Sequence, residues 1–200
     1  MIRTIVALCL ALLLLGLGEA YWFCKRPLAP SGGLYFWRPV HLGVIPFRQN
    51  DPRWGRDLIG RRGDTLGAQG CAVTSAAAIL ASYGVALTPQ TLNQFLNTHG
   101  GYTPEGWLIW EKAAAFQPGV AEKSYEDDAS YYLIDSSLMR GVPVIVRLKL
   151  RSGRTHFVVI MGKEGWDYLI CDPGAGASKG FYPLRQIGSQ IYALRAYRRL

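Results

Sequence analysis

The spacing of apolar residues changes once along this chain, and that change limits the possible folds more than any other feature. Between residues 71 and 140 apolar residues recur at helical spacing, as in CAVTSAAAILASY. From residue 142 the chain turns to short runs rich in β-branched and aromatic residues: VPVIVRLKL, HFVVIMG, WDYLICD and QIYALRAYR. Helices followed by antiparallel strands predict an α+β domain, with N-terminal helices packed on an antiparallel sheet.

Four helices are predicted ahead of the strands, each from a start or stop signal. They are residues 71–83 before Gly84, a helix opened by Thr88 and Pro89, a helix from Thr103 and Pro104 to Ala114, and residues 128–140 before Gly141. A threonine followed by proline is a favourable helix start, and glycine favours a helix end.

The N-terminus carries a membrane-targeting pattern. Residues 4–18, TIVALCLALLLLGLG, are apolar and uncharged behind Arg3, and the aromatic residues 21–23 are followed by Lys25 and Arg26. We therefore predict a signal anchor or transmembrane segment over 1–24, a linker arm over 25–43 and one domain over 44–200. The domain is expected outside the cytoplasm, secreted if the segment is cleaved, with the membrane as a partner.

Charge and cysteine content narrow the functional classes. The 22 Lys and Arg exceed the 14 Asp and Glu by eight, but they are scattered, which disfavours a nucleic-acid partner. The four cysteines show neither CxxC nor metal-type spacing, and His41 and His99 have no ligand-type neighbours, so no metal is expected. Cys171 is interpreted as a small buried residue, with a bridge to Cys24 left open.

Cys71 stands at the start of the first predicted helix. A thiolate is the nucleophilic form of cysteine, and the free N–H groups and dipole of a helix N-terminus favour it. Gly70 is expected to let the backbone turn sharply and leave the sulfur uncovered. The alternative, an ordinary buried cysteine, is about equally supported by this position alone.

His156 begins the strand HFVVIMG and gains a partner from hairpin register. If residues 163–165 form the loop, Gly162 faces Trp166 and His156 faces Asp172. Opposed residues share a face, so the carboxylate can orient the imidazole. Alternatively, His156 is structural and Asp172 in DPG is only a strand-ending turn residue.

Gln49, in the loop FRQNDPRWG, is the candidate oxyanion donor together with the backbone N–H of Cys71. Alone it is an unremarkable polar residue. Asp51 and Trp54 are interpreted as scaffolding for its loop. The glycine-rich PGAGASKG lacks the Lys-Ser/Thr ending of a phosphate loop, so no nucleotide or other cofactor is expected.

Taken in order, QNDPRW, GCAVTSAAAIL, HFVVIMG and DPG resemble motifs of the bacteriocin-processing peptidases and their stand-alone relatives, family thirty-nine of the cysteine peptidases. The resemblance spans about Val44 to Leu184 and implies a papain-like fold. It also implies roles for Gln49 as oxyanion donor, Cys71 as nucleophile, His156 as base and Asp172 as orienter. The transporter and ATP-binding domains of the best-known members are absent, so their double-glycine substrate is not implied.

The function expected from this resemblance is a membrane-anchored cysteine peptidase that cleaves a peptide or protein substrate through an acyl-enzyme. Two alternatives stay open at this point. One is a cell-wall peptide hydrolase or acyltransferase with the same triad, and the other is a non-catalytic module that binds a peptide in the same cleft.

Overall fold

The computed structural model describes residues 27–200 and shows an antiparallel sheet with helices on both faces. The helices are α1 (Leu66–Gln69), α2 (Cys71–Ser82), α3 (Pro89–Thr98), α4 (Trp110–Ala114) and α5 (Tyr131–Met139). The strands are β1 (Ser31–His41), β2 (Leu58–Ile59), β3 (Asp64–Thr65), β4 (Ala121–Asp127), β5 (Val144–Lys149), β6 (Thr155–Cys171), β7 (Phe181–Pro183) and β8 (Ile191–Arg199). Short 3-10 segments cover Ala175–Lys179 and Leu184–Ile187.

The main sheet has the order β1-β6-β5-β8-β4, with β7 paired to β6, and it separates two hydrophobic cores. Alternate residues of each strand face opposite sides, so Ile145 and Val159 pack towards α2 while Val146 and Val158 pack in the core beside α5. The predicted α+β class is confirmed, and the sheet provides the platform on which α2 is placed.

Two of the predicted helices, α2 and α3, are present with the expected ends. Thr88 caps α3 through a reciprocal hydrogen-bond pair with Thr91. The helix predicted from Thr103 is wrong, because residues 103–107 form a tight turn and only α4 is helical there. In that turn Thr103 N donates to Trp107 O at 2.9 Å, and Gly106 adopts a φ of +82°.

The sheet extends into the segment predicted as a linker arm. Residues 31–41 of that segment form β1, which pairs with β6 so that His41 lies opposite Gly162 and Ser31 opposite Asp167. The glycine and proline content obscured a strand that lies at the sheet edge, where proline is tolerated. The predicted anchor at 1–24 lies outside the described residues, and no helix within 27–200 is long and apolar enough to span a bilayer.

A buried ion pair fastens β1 to the rest of the sheet. Lys163 of β6 is fully buried, and its Nζ donates to Oδ1 of Asp135 on α5 at 2.6 Å and to Gly32 O at 2.7 Å. The other oxygen of Asp135 accepts from Leu34 N at 2.6 Å, and Tyr168 Oη donates to Oδ1 at 3.0 Å. Every group is paired, so this cluster connects three elements without an unsatisfied charge.

Removing one member of this pair should destabilise the domain strongly. We expect Lys163→Met to lower the free energy of unfolding by about 3–5 kcal/mol, because Asp135 is then left buried and unpaired. The matched control is Arg198→Met, which removes the exposed pair with Glu122 and should cost less than about 1 kcal/mol. Urea denaturation measures both, and equal losses would contradict this role for Lys163.

Candidate active site

The position of Cys71 is set by the junction of two helices that only one residue separates. Gly70 ends α1 and immediately precedes α2, and its N–H donates to Leu66 O at 2.8 Å. Its φ of −79° is ordinary, so the predicted sharp turn is not the reason for glycine. A Cβ at this position would clash with the carbonyl oxygen of Leu66. Cys71 therefore begins α2 with 9% of its surface exposed and lines a cavity.

Strand β6 doubles back and brings His156 to Asp172. Nε2 of His156 donates to Oδ1 of Asp172 at 2.7 Å, whereas a straight 17-residue strand would span about 55 Å. Gly165 adopts a φ of +56° in the predicted loop. Residues that the predicted register sets opposite each other also share a core, Val159 with Leu169 and Val158 with Ile170.

The environment of His156 favours the protonated ring. Burial lowers the pKa of His156, but hydrogen bonds to Asp172 and Cys71 outweigh burial and raise that pKa to about 9. Nε2 is already bonded to Asp172, so Nδ1 is the ring nitrogen left for Cys71. An imidazolium therefore lies between the sulfur and the carboxylate at neutral pH.

Asp172 is held by four donors, of which the sequence analysis predicted only His156. Besides His156, its Oδ1 accepts from Gly174 N at 2.7 Å, and its Oδ2 accepts from Gly176 N at 3.1 Å and from Tyr182 Oη at 2.7 Å. Burial raises the pKa of Asp172, but the hydrogen bond from His156 leads the interactions that bring it below its usual value. Tyr182 stands on β7 in a run, FYP, that carries no recognisable motif.

Gln49 lines the same cavity as Cys71 and lies on a loop bonded to Pro173, the residue after Asp172. Gln49 N donates to Pro173 O at 2.8 Å, and its Nε2 donates to Gly67 O at 2.9 Å. The second N–H of this amide has no assigned acceptor, while Oε1 is buried without a partner. Trp54, 2% exposed, supports the loop by donating from Nε1 to Arg48 O at 2.8 Å, and Asp51 O accepts from Trp54 N.

One cavity of about 700 Å³ is lined by all four of the predicted site residues, Gln49, Cys71, His156 and Asp172. They come from separate places in the chain, namely a loop, the start of α2, β6 and the turn after β6. Their convergence brings together a thiol, an imidazole, a carboxylate and a side-chain amide.

His99 and two tryptophans lie outside the cavity that the four residues share. His99 ends α3 and stacks on Phe95, while Trp110 is buried at 4% exposure against Phe157. Trp107 is 71% exposed and lines a second cavity that also reaches Cys71. Within residues 27–200 no cluster of three or more His, Cys, Asp or Glu is suited to a metal ion.

A helix that begins at a cysteine, packed on an antiparallel sheet that presents a histidine, defines a papain-like fold of the cysteine peptidase class. Comparison of the sequence with known families agrees, since the Peptidase_C39 like family matches residues 41–196. The chain belongs to that family, and the resemblance inferred from its motifs is confirmed.

A solved structure supports the fold independently. The crystal structure of a candidate C39-like peptidase from Bacillus anthracis is similar with a TM-score of 0.51 and 20% identity, covering 81% of this chain and 98% of that one. At this identity the likeness concerns the fold alone. No curated protein sequence matches the chain.

The pKa of His156 provides a direct test of its pairing with Asp172. In the wild type we expect the imidazole to titrate near pH 9, and in Asp172→Asn at a clearly lower pH, because one of the two partners that stabilise its charged form is lost. Tyr182→Phe keeps the carboxylate and should leave the pKa high. NMR titration of the ring measures all three, and an unchanged pKa in Asp172→Asn would contradict the pairing.

Proposed function

We propose that this protein is a cysteine peptidase that hydrolyses peptide bonds through an acyl-enzyme. The observation that carries this proposal is the position of the His156 ring, which bonds the carboxylate of Asp172 through Nε2 and shares one cavity with Cys71. An imidazolium beside a thiol favours the thiolate, which is the nucleophilic form. Asp172 keeps Nδ1 directed at the sulfur by occupying Nε2.

The proposed reaction runs in two halves. Sγ of Cys71 attacks the peptide carbonyl carbon, and the C–N bond breaks as Nδ1–H of His156 protonates the leaving amine. The thioester that remains is attacked by water, whose proton passes to Nδ1. Collapse of the second tetrahedral intermediate releases the acid and the thiolate, which restores the starting ion pair.

Charge that develops on the carbonyl oxygen needs donors already in place. The second N–H of the Gln49 amide and the backbone N–H of Cys71, at the first turn of α2, are the proposed pair. The hydrogen bond from Gln49 Nε2 to Gly67 O fixes the amide plane, so the donor does not have to reorient during the reaction.

Alkylation distinguishes a peptidase from a silent peptide-binding module. We expect iodoacetamide to label Cys71 at about pH 6, where an ordinary thiol of pKa about 8.5 reacts slowly, and His156→Ala to slow this labelling at least about tenfold. Cys171 is an internal control, because burial raises the pKa of its thiol to about 12. Mass spectrometry of the two peptides measures both rates.

Ordinary reactivity of Cys71, unchanged in His156→Ala, would contradict the proposed activation and favour the silent module. Cys71→Ala should also abolish hydrolysis of peptides by the purified protein. Assays on protein-derived peptides and on cell-wall peptides, run in parallel, separate the two classes of acyl substrate.

Gln49→Ala should lower kcat by about 100–1,000-fold with a smaller effect on KM, because the lost donor acts on the transition state. Gln94→Ala is the matched control, since that exposed amide lies on α3, lines neither cavity and should leave kcat unchanged. Steady-state kinetics on a cleaved peptide measure both. If Gln49→Ala instead raises KM and leaves kcat unchanged, Gln49 only binds substrate and the proposed role is contradicted.

A further inference from the structure

The cavity that contains Cys71 is electrostatically one-sided. Its lining includes two carboxylate- or imidazole-bearing residues, Asp172 and His156, and two cations, Arg154 and Lys179. His156 and Asp172 are paired with each other, which leaves two cations at the exposed edge of the cavity. A substrate that enters this cavity therefore meets positive charge without a free carboxylate.

Neither cation has a carboxylate partner among residues 27–200. Arg154 precedes β6, and its Nη2 donates to the backbone oxygen of Ala68 at 3.3 Å. Lys179 ends the 3-10 segment after Asp172, and its Nζ lies 4.9 Å from the centre of the Tyr182 ring. Both contacts position a charge beside the cavity and leave it uncompensated.

The glycine-rich loop PGAGASKG, which lacks the features of a nucleotide site, contributes to this cavity in two ways. Its N-terminal half holds Asp172 through the amides of Gly174 and Gly176, and its C-terminal half carries Lys179. The loop therefore joins the orienting carboxylate to a recognition charge in one short segment.

We propose that Arg154 and Lys179 select acidic peptides, by binding a carboxylate close to the scissile bond. This inference rests on the proposed peptidase function and names the substrate class of the same site. The carboxylate is either an Asp or Glu side chain or the C-terminus of a short peptide. Exposed charge pairs of this kind discriminate roughly two- to five-fold each, so we expect about 5- to 20-fold for both cations.

The second cavity at Cys71 does not share this character. It is lined by Arg147 and Arg195 but also by Asp64, Glu105 and Glu126, and Glu126 pairs with Arg195. Because both signs are present there, selection for acidic groups is assigned to the cavity that contains Arg154 and Lys179.

The test profiles cleavage of a proteome-derived peptide library by the full chain. Peptides from the preferred sites are then made with Glu, Gln or Lys at each position near the cleaved bond, and with free or amidated C-termini. Wild type should favour Glu over Gln by about 5- to 20-fold in kcat/KM at low salt, and less at about 0.5 M NaCl. A preference that follows the free C-terminus instead identifies the terminal carboxylate.

The double variant Arg154→Glu, Lys179→Glu should reverse this preference towards Lys. Arg151→Glu is the control, because Arg151 is exposed in the turn before Arg154 but does not line the cavity, and a charge reversal there should leave the preference intact. Equal cleavage of Glu and Gln peptides by wild type would overturn the inference while leaving the peptidase function standing.

A binding measurement tests acid selection separately from peptide hydrolysis, so it applies even when no peptide is cleaved. Cys71→Ser should bind a fluorescent Glu-rich peptide more tightly than its Gln counterpart, and charge reversal at Arg154 and Lys179 should remove the difference. Such selective binding, together with no cleavage of either peptide by the wild type, would contradict the proposed hydrolysis and support acid selection. Equal anisotropy changes with both peptides would overturn acid selection.

Discussion

The contact between the sulfur at the start of α2 and the imidazole presented by β6 is the interaction on which the rest of the site depends. It exists only because α2 lies close to the sheet, and small residues make that approach possible. Ala76, Ala77 and Ala78 on α2 are at most 2% exposed, and Ser75 Oγ donates to Phe157 O, next to His156, at 3.4 Å. Larger residues there would move Cys71 away from its partner.

The second constraint is the doubled-back strand that carries His156 and leads into Asp172. Its turn near Gly165 is held on one side by β1, which Lys163 and Asp135 fasten in place. At the other end Gly174, Gly176 and Tyr182 surround the carboxylate. The site is thus supported by backbone amides and buried pairs at both ends of one hairpin, so its geometry does not rest on surface side chains.

Much of the fold and the pairing of His156 with Asp172 could be predicted because their signals are local, whereas the roles expected of Gln49 and Cys71 depended on the family resemblance. Each of these signals depends on few residues. They are the spacing of apolar residues in α2, the capping of α3 by Thr88, and the length of the hairpin loop that sets His156 opposite Asp172. Elements fixed by distant contacts were harder, since β1 depends on β6 and Tyr182 has no motif of its own. The helix start predicted at Thr103 failed for a local reason, because a turn that contains Gly106 replaces it. Gly70 was recognised, but its reason, contact with Leu66, needed coordinates.

The most direct test of the central claim is a crystal structure of the protein with a peptide aldehyde bound. The account predicts a thiohemiacetal on Cys71 Sγ, its oxygen within about 3.2 Å of Gln49 Nε2 and the Cys71 backbone N, with Nδ1 of His156 on the side of the leaving group. An aldehyde bound elsewhere, or an imidazole turned away from a modified sulfur, would contradict it.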